Sequence, residues 1–342
     1  MLKRSIAVSI LLAGLLLQNA TACTEVVLNK TPGLVISGRT LDYNAELGSK
    51  ICFREKGTQV KDPGASWTQI KGEPLSWTAK YSAVLVDAFD EPAFVDGMNT
   101  EGLSAACLWQ ADTELPTSTN AGTQPLSNVA LVEYIVENAK DVAEAEKLIS
   151  GLSLYLSTYK GQPMVLHWII NDRSGKSIVV EQKNGKPKFF HEIDKVGVMA
   201  NQPSYDQHLA KLKAMEEAQT KDPGSFTLPG DYNSSSRFLK SAFLVSHLPQ
   251  IDSCEQGVST AMQVLHNVES PKGAQSSGSY TQWIVVRDQS NLRYWLTSVN
   301  HPSPKLVDLK TIDFKTVAGK KVPVDSASAG DVSKLPELTA QK

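Results

Sequence analysis

The stretch ATACTEVVLNKTPGLVISGRTLDYN, residues 20–44, places a cysteine directly after an apolar leader. Met1-Leu2-Lys3-Arg4 supplies a positive start, Ile6 to Leu17 an apolar core, and Ala20-Thr21-Ala22 a small-residue A-x-A site. That order reads as a secretory signal peptide over residues 1–22, cut after Ala22. The mature polypeptide, residues 23–342, is then periplasmic or secreted and opens on Cys23. Thr24 to Leu28 and Leu34 to Ser37 are short β-type runs separated by the turn signal Lys30-Thr31-Pro32-Gly33. They read as a hairpin, which returns Arg39 and Asp42, at the end of its second strand, to the neighbourhood of Cys23.

A cysteine at a new N-terminus carries a thiol and an α-amine on one carbon skeleton. Their ordinary pKa values, about 8.5 and about 8, poise both for proton exchange near neutral pH. The amine can take the proton of the attacking thiol, directly or through a water, so neither a histidine nor a metal is required. Arg39 favours the thiolate, and Asp42 can hold the α-ammonium or orient the amine. Two plainer readings stay open at this point. Cys23 could be a lipoprotein cysteine, acylated on a periplasmic binding protein without catalysis, although the place three before it is Ala20 and not a larger aliphatic residue. It could also lie near the cut without a role.

The formal net charge of −2 offers no basic patch for nucleic acid or an anionic membrane. No stretch after the leader approaches about 18 uninterrupted apolar residues, so stable membrane insertion is not expected. Small molecules are the expected partners. With Cys23 reserved for chemistry, Cys52, Cys107 and Cys254 can form at most one disulfide. Cys107 sits in the apolar run Leu103 to Leu108 and reads as a buried, inert thiol. No Gly-rich phosphate loop follows a strand, no H-E-x-x-H is present and the histidines are scattered, so neither cofactor nor metal is expected.

Further strands are predicted at Ser82–Val86 and Gly102–Leu108, with turns at Asp96-Gly97-Met98-Asn99 and Thr100-Glu101-Gly102. Apolar residues at helical spacing predict one amphipathic helix over Val129–Leu148. Val165–Asn171, Ser177–Gln182 and Pro187–His191 read as a three-stranded meander. Helices follow at Tyr205–Ala218, Ser235–Leu248 and Glu255–Val268, then a closing hairpin of Tyr280–Arg287 and Leu292–Val299. The polar tail from about Val322 is expected to add little structure. Hairpin-linked strands with helices segregated from them argue for an α+β architecture of antiparallel sheets and helical layers.

These residues resemble the choloylglycine hydrolases, the family of conjugated bile salt hydrolases and penicillin V acylases. The resemblance rests on C-T-E-V-V-L with S-G-R-T-L-D-Y, on D-G-M-N-T-E-G-L (96–103), on M-A-N-Q-P-S-Y-D (199–206) and on L-P-G-D-Y-N-S-S-S-R-F (228–238). These blocks recur in the family's order over most of residues 23–342. The resemblance implies an αββα four-layer sandwich of the N-terminal nucleophile hydrolase type. It implies Cys23 as nucleophile, Arg39 and Asp42 as its close neighbours, and Asn201 as an oxyanion donor. Arg237 would complete the charged surroundings of the thiolate. Trp109 departs from the Asn or Tyr of Gram-positive members and resembles the Gram-negative branch, which includes penicillin V acylases that also cleave N-acyl-homoserine lactones. Its N–H would be the second oxyanion donor and its indole a wall of an apolar acyl pocket. Ala200 and Gln202 depart from the family's usual Thr and Ser. The expected reaction is hydrolysis of a linear amide with an apolar acyl group, with conjugated bile salts as alternative substrates. The expected assembly is a homo-oligomer, with a tetramer as the candidate.

Overall fold

The computed structural model describes residues 23–68, 70–119 and 124–334. The expected leader, residues 1–22, lies outside the described residues. The chain opens with β1 (Thr24–Leu28), β2 (Ile36–Tyr43) and β3 (Lys50–Arg54), then β4 (Ala83–Ala88), β5 (Glu91–Asn99) and β6 (Ser104–Trp109). Two helices, α1 (Leu131–Asn138) and α2 (Val142–Gly151), lead into the meander β7 (Leu166–Asn171), β8 (Ser177–Lys183) and β9 (Lys186–Phe190). Strand β10 (Val198–Ala200) precedes the long helices α3 (Tyr205–Lys221), α4 (Ser234–Ser246) and α5 (Cys254–His266). Strands β11 (Tyr280–Asp288), β12 (Arg293–Ser298), β13 (Lys305–Asp308), β14 (Lys321–Pro323) and β15 (Gly330–Asp331) complete the fold.

Among the described residues, one sheet has the order β10-β1-β2-β11-β12-β13-β15 and a second the order β9-β8-β7-β6-β5-β4-β3-β14. Helices α4 and α5 pack on the first sheet and α1 on the second. The apolar core divides accordingly. One cluster joins the facing sides of both sheets and continues under α4 and α5, and the other lies between the second sheet and α1 and α2. This is the αββα sandwich.

Between the sheets runs a polar seam. Arg287 on β11 donates to Glu25 of β1 at 2.6 Å and pairs with Asp96 of the facing sheet, and Tyr294 donates to Asp96 at 2.7 Å. Buried charges survive only when paired and fully hydrogen-bonded, as here.

Three sequence expectations are corrected. Asp96-Gly97-Met98-Asn99 is not a turn but the end of β5. Its glycine is required by close approach, because a Cβ at Gly97 would lie 2.6 Å from a Leu85 methyl and 2.9 Å from the Val84 carbonyl. The single helix over Val129–Leu148 is two, broken at Ala139, which is extended. Asp141 starts the second by accepting the Glu144 N–H, and the Glu144 carboxylate returns to the Lys140 N–H. These reciprocal bonds end one helix and start the next. Finally, the stretch from Val322 supplies an edge strand to each sheet, with Val322, Val324 and Val332 buried.

Candidate active site

Strand register builds the site. β1 lies between β10 and β2, with Thr24 opposite Ala200 on one side and Thr40 on the other. One step back along these registers, Cys23 falls opposite Asn201 and Leu41. Side chains separated by more than 170 positions in sequence therefore meet at the head of one strand.

Cys23 is 5% exposed. Its sulfur accepts the Asp42 N–H at 3.5 Å and lies 3.8 Å from the Asp42 carbonyl. The Asp42 carboxylate takes the Thr281 hydroxyl at 2.6 Å on Oδ1, while Oδ2 is buried without a hydrogen-bond partner among the described residues. Burial pushes this carboxyl up to about 7, against the opposing pull of Arg237, the Thr281 bond and Arg39.

Two buried guanidiniums flank the nucleophile. Arg39 Nη1 donates to the Cys107 carbonyl at 2.7 Å and to the Val95 carbonyl at 3.0 Å. The β5–β6 pairing ends at Asp96 with Ala106, so Arg39 enters from the other sheet at the next rung. Burial works against its charge, but Cys23, Asp96, Cys107 and Glu25 together hold its pKa above the ordinary value. Arg237, in the first turn of α4, donates through Nε to the Tyr232 carbonyl at 3.0 Å and through Nη1 to the Cys23 carbonyl at 2.6 Å and the Thr24 hydroxyl. Its Nη2 reaches the Asn201 Oδ1 at 3.2 Å. It lies on no solvated face.

Arg237 thereby orients the Asn201 amide, whose Nδ2 donates to the Trp109 carbonyl at 3.0 Å. Gln110 N–H bonds the Val165 carbonyl on the β7 side. By the alternation of an antiparallel ladder, the Trp109 N–H and C=O turn the opposite way, to the side where β5 has ceased to pair. Trp109 is half-buried and belongs to neither apolar cluster. The structure thus joins Cys23 to Asp42, Arg237 to Cys23 and Asn201, and Asn201 to Trp109, with Arg39 beside them in the seam. Such a group can hold a thiolate and present amide donors to an adjacent oxygen.

Cys52, Cys107 and Cys254 are free thiols, not a bridge. Cys107 is buried, and burial pushes its thiol up to about 12, which keeps it unreactive. Sequence reading missed Thr281, Glu181 and His208. Glu181 accepts from Tyr205 N–H, and His208 meets the Asn201 carbonyl at 2.8 Å. None carries a motif, and only folding reveals their contacts.

Next to Asp42, Tyr43 begins a row of rings. Tyr43 meets Phe89 at 5.5 Å, Phe89 meets Tyr159 at 4.9 Å, and Tyr159 meets Trp67 at 4.6 Å.

Known proteins resemble this chain over most of its length. The chain is 28% identical over 331 residues to a penicillin V acylase of Pectobacterium atrosepticum, covering 89% of this chain and 85% of that one. It is 27% identical over 279 residues to a bile salt hydrolase/transferase of Clostridium perfringens, covering 74% and 80%. The fold is shared with a solved penicillin V acylase from Agrobacterium tumefaciens, at a TM-score of 0.75, 24% identity and coverage of 91% and 96%. The family model for linear amide C–N hydrolases, choloylglycine hydrolase family, matches residues 23–322. With that match spanning the cysteine-headed strand β1, the strand β10 that leads into Asn201 and the helix α4 that carries Arg237, the chain belongs to the choloylglycine hydrolase family of linear amide C–N hydrolases.

Proposed function

We propose that this hydrolase is an exported penicillin V acylase that also cleaves N-acyl-homoserine lactones, acting once residues 1–22 are removed. The observation that carries the reading is the chain of contacts at the head of β1, where Arg237 joins the Cys23 carbonyl to the Asn201 side chain and the Asn201 amide in turn donates to the Trp109 carbonyl. The Cys23 α-amine takes the thiol proton, and the sulfur attacks the amide carbon. Asn201 Nδ2 and Trp109 N–H hold the resulting oxyanion. The C–N bond breaks as the α-ammonium returns its proton to the departing amine, leaving a thioester. Water, giving a proton to the same amine, attacks that thioester, and the acid departs as the thiol is restored.

The row of rings from Tyr43 to Trp67 supports an acyl group that is aromatic or long and apolar, since aromatic faces and edges favour such contacts. Conjugated bile salts are the second reading, favoured by the similarity to the Clostridium perfringens bile salt hydrolase/transferase.

The test is to compare kcat/KM for penicillin V, a long-chain acyl-homoserine lactone and glycocholate on purified enzyme, with N-terminal sequencing and intact mass on the same sample. An unmodified chain that begins at Cys23 and prefers the first two substrates is expected. Preference for glycocholate would replace the substrate class. An active chain that begins elsewhere, or an inert one carrying a diacylglyceryl group on Cys23, would overturn the mechanism.

A further inference from the structure

Behind the two proposed oxyanion donors lies a buried carboxylate that the reaction above does not use. Glu181, on β8, has its side chain almost wholly out of water. Its Oε1 accepts two bonds: the Gln110 Nε2 at 3.3 Å and the Tyr205 main-chain N–H at 2.7 Å. His167 Nδ1 stands 3.6 Å from the same oxygen. Gln110 is the residue after Trp109, and Tyr205 opens α3 just beyond Asn201. One oxygen thus ties together the two segments that carry the donors.

A second bond acts on the same loop. His208, on the first turn of α3, points Nε2 at the Asn201 carbonyl, 2.8 Å away, and its ring is stacked on Phe238 at 4.5 Å. A carbonyl oxygen only accepts, so the proton sits on Nε2. Phe238 follows Arg237, whose Nη2 holds the other end of the Asn201 amide. The main chain and side chain of Asn201 are therefore both held, and Glu181 fixes that loop against the end of β6.

Taking a carboxylate out of water is costly unless its lone pairs are used. Among the described residues, Glu181 makes no ion pair with lysine or arginine; Oε1 spends both its hydrogen bonds on the two donor segments, while Oε2 is buried without a hydrogen-bond partner. An oxyanion hole works only when both donors lie about 2.7–3.1 Å from the developing charge, and a misplacement of about 1 Å can cost about 10²-fold in rate. We infer that Glu181 is the positioning residue that sets the spacing between the Trp109 N–H and Asn201 Nδ2, and so governs kcat more than substrate binding. This rests on the proposed roles of those two donors.

The experiment compares kcat, KM and thermal midpoint for the wild type, Asn201→Ala, Glu181→Leu, Glu181→Gln and Gln110→Met, on whichever of penicillin V and glycocholate the wild type turns over faster. Asn201→Ala tests the donor reading alone, with an expected loss of about 10²- to 10³-fold in kcat. Glu181→Leu is expected to lower kcat by about 10- to 10²-fold with KM moved less than about threefold. Glu181→Gln keeps an oxygen acceptor in place and is expected to restore most of the rate. Gln110→Met cuts only the limb to Trp109, so it reports on positioning even if Glu181→Leu fails to fold. It is expected to lower kcat at an unchanged thermal midpoint. If Asn201→Ala is crippled while a folded Glu181→Leu or Gln110→Met keeps wild-type kcat, the positioning role is wrong and the donor reading stands. If Asn201→Ala keeps full kcat, the donor reading itself fails and the inference goes with it.

Discussion

The Arg39 guanidinium, carried by one sheet, closes on the Cys107 carbonyl of the other at 2.7 Å. The same nitrogen takes the Val95 carbonyl, so one side chain substitutes for a missing rung between β5 and β6. Arg39→Met leaves both carbonyls buried without this donor, and an orphaned buried group costs about 1–3 kcal/mol. Urea denaturation is expected to show a lower midpoint at an unchanged slope, together with a fall in kcat as the thiolate loses a neighbouring cation. A variant that is fully active and equally stable would show that this bridge is dispensable.

Asn201 offers a sharper contrast. Asn201→Asp is nearly isosteric and keeps an oxygen for Arg237, but it places negative charge where the oxyanion forms. It is expected to lower kcat further than Asn201→Ala, beyond the about 10²- to 10³-fold typical of a lost donor. Equal rates for the two variants, measured at saturating substrate, would argue that Nδ2 does not face the developing charge.

Asp42 predicts a pH effect whose sign depends on processing. Its carboxyl is pushed up to about 7, chiefly by burial. A carboxyl raised in the folded state contributes stability at low pH that is lost as pH rises from its ordinary value through about 7. A chain retaining residues before Cys23 is expected to lose thermal stability over that window. A chain beginning at Cys23 presents an α-ammonium, which draws the carboxyl's pKa back down and removes the loss. Other raised buried carboxyls, such as Glu25, are common to both chains and cancel in the difference. Parallel melting curves across pH 4 to 8 would show that Asp42 is not the ammonium's partner.

Gly38, in the middle of β2, has no room for a side chain. A Cβ there would lie 2.6 Å from the Val285 carbonyl and 3.0 Å from methyl groups of Leu265 and Val286. Gly38→Ala is expected to destabilise by about 1–3 kcal/mol, as overpacking does. Because β2 also carries Arg39 and Asp42, kcat is expected to fall with it. Calorimetry and a rate assay on the same sample would check both.

Much of the layout could be read directly from the residues because turn chemistry and periodicity agree. Lys30 to Gly33 and Asp172 to Lys176 mark true hairpins, and the helices over α3, α4 and α5 start within a residue of the expected places. Asp96 to Asn99 carries a glycine that signals a bend in the sequence but serves close packing against Leu85 in the fold. In the site, the hairpin alone brought Asp42 to Cys23, since the contact is local. Asn201, Trp109 and Arg237 were visible only through the family resemblance, because β10, β6 and α4 reach the nucleophile by non-local register. Thr281 was out of reach altogether: its bond to Asp42 spans 239 positions and depends on the β2–β11 pairing.

The last described stretch of chain also acts as a clasp. Lys321–Pro323 lies along β3 at the rim of one sheet, and Gly330–Asp331 lies along β13 at the rim of the other. A protein ending before Lys321 would bare two strand borders at once, each with a row of unsatisfied amides ready to recruit another molecule. The practical outcome is self-association and loss from solution. Shortening this polypeptide from its carboxyl end is thus a question of colloidal behaviour long before it touches the chemistry at Cys23.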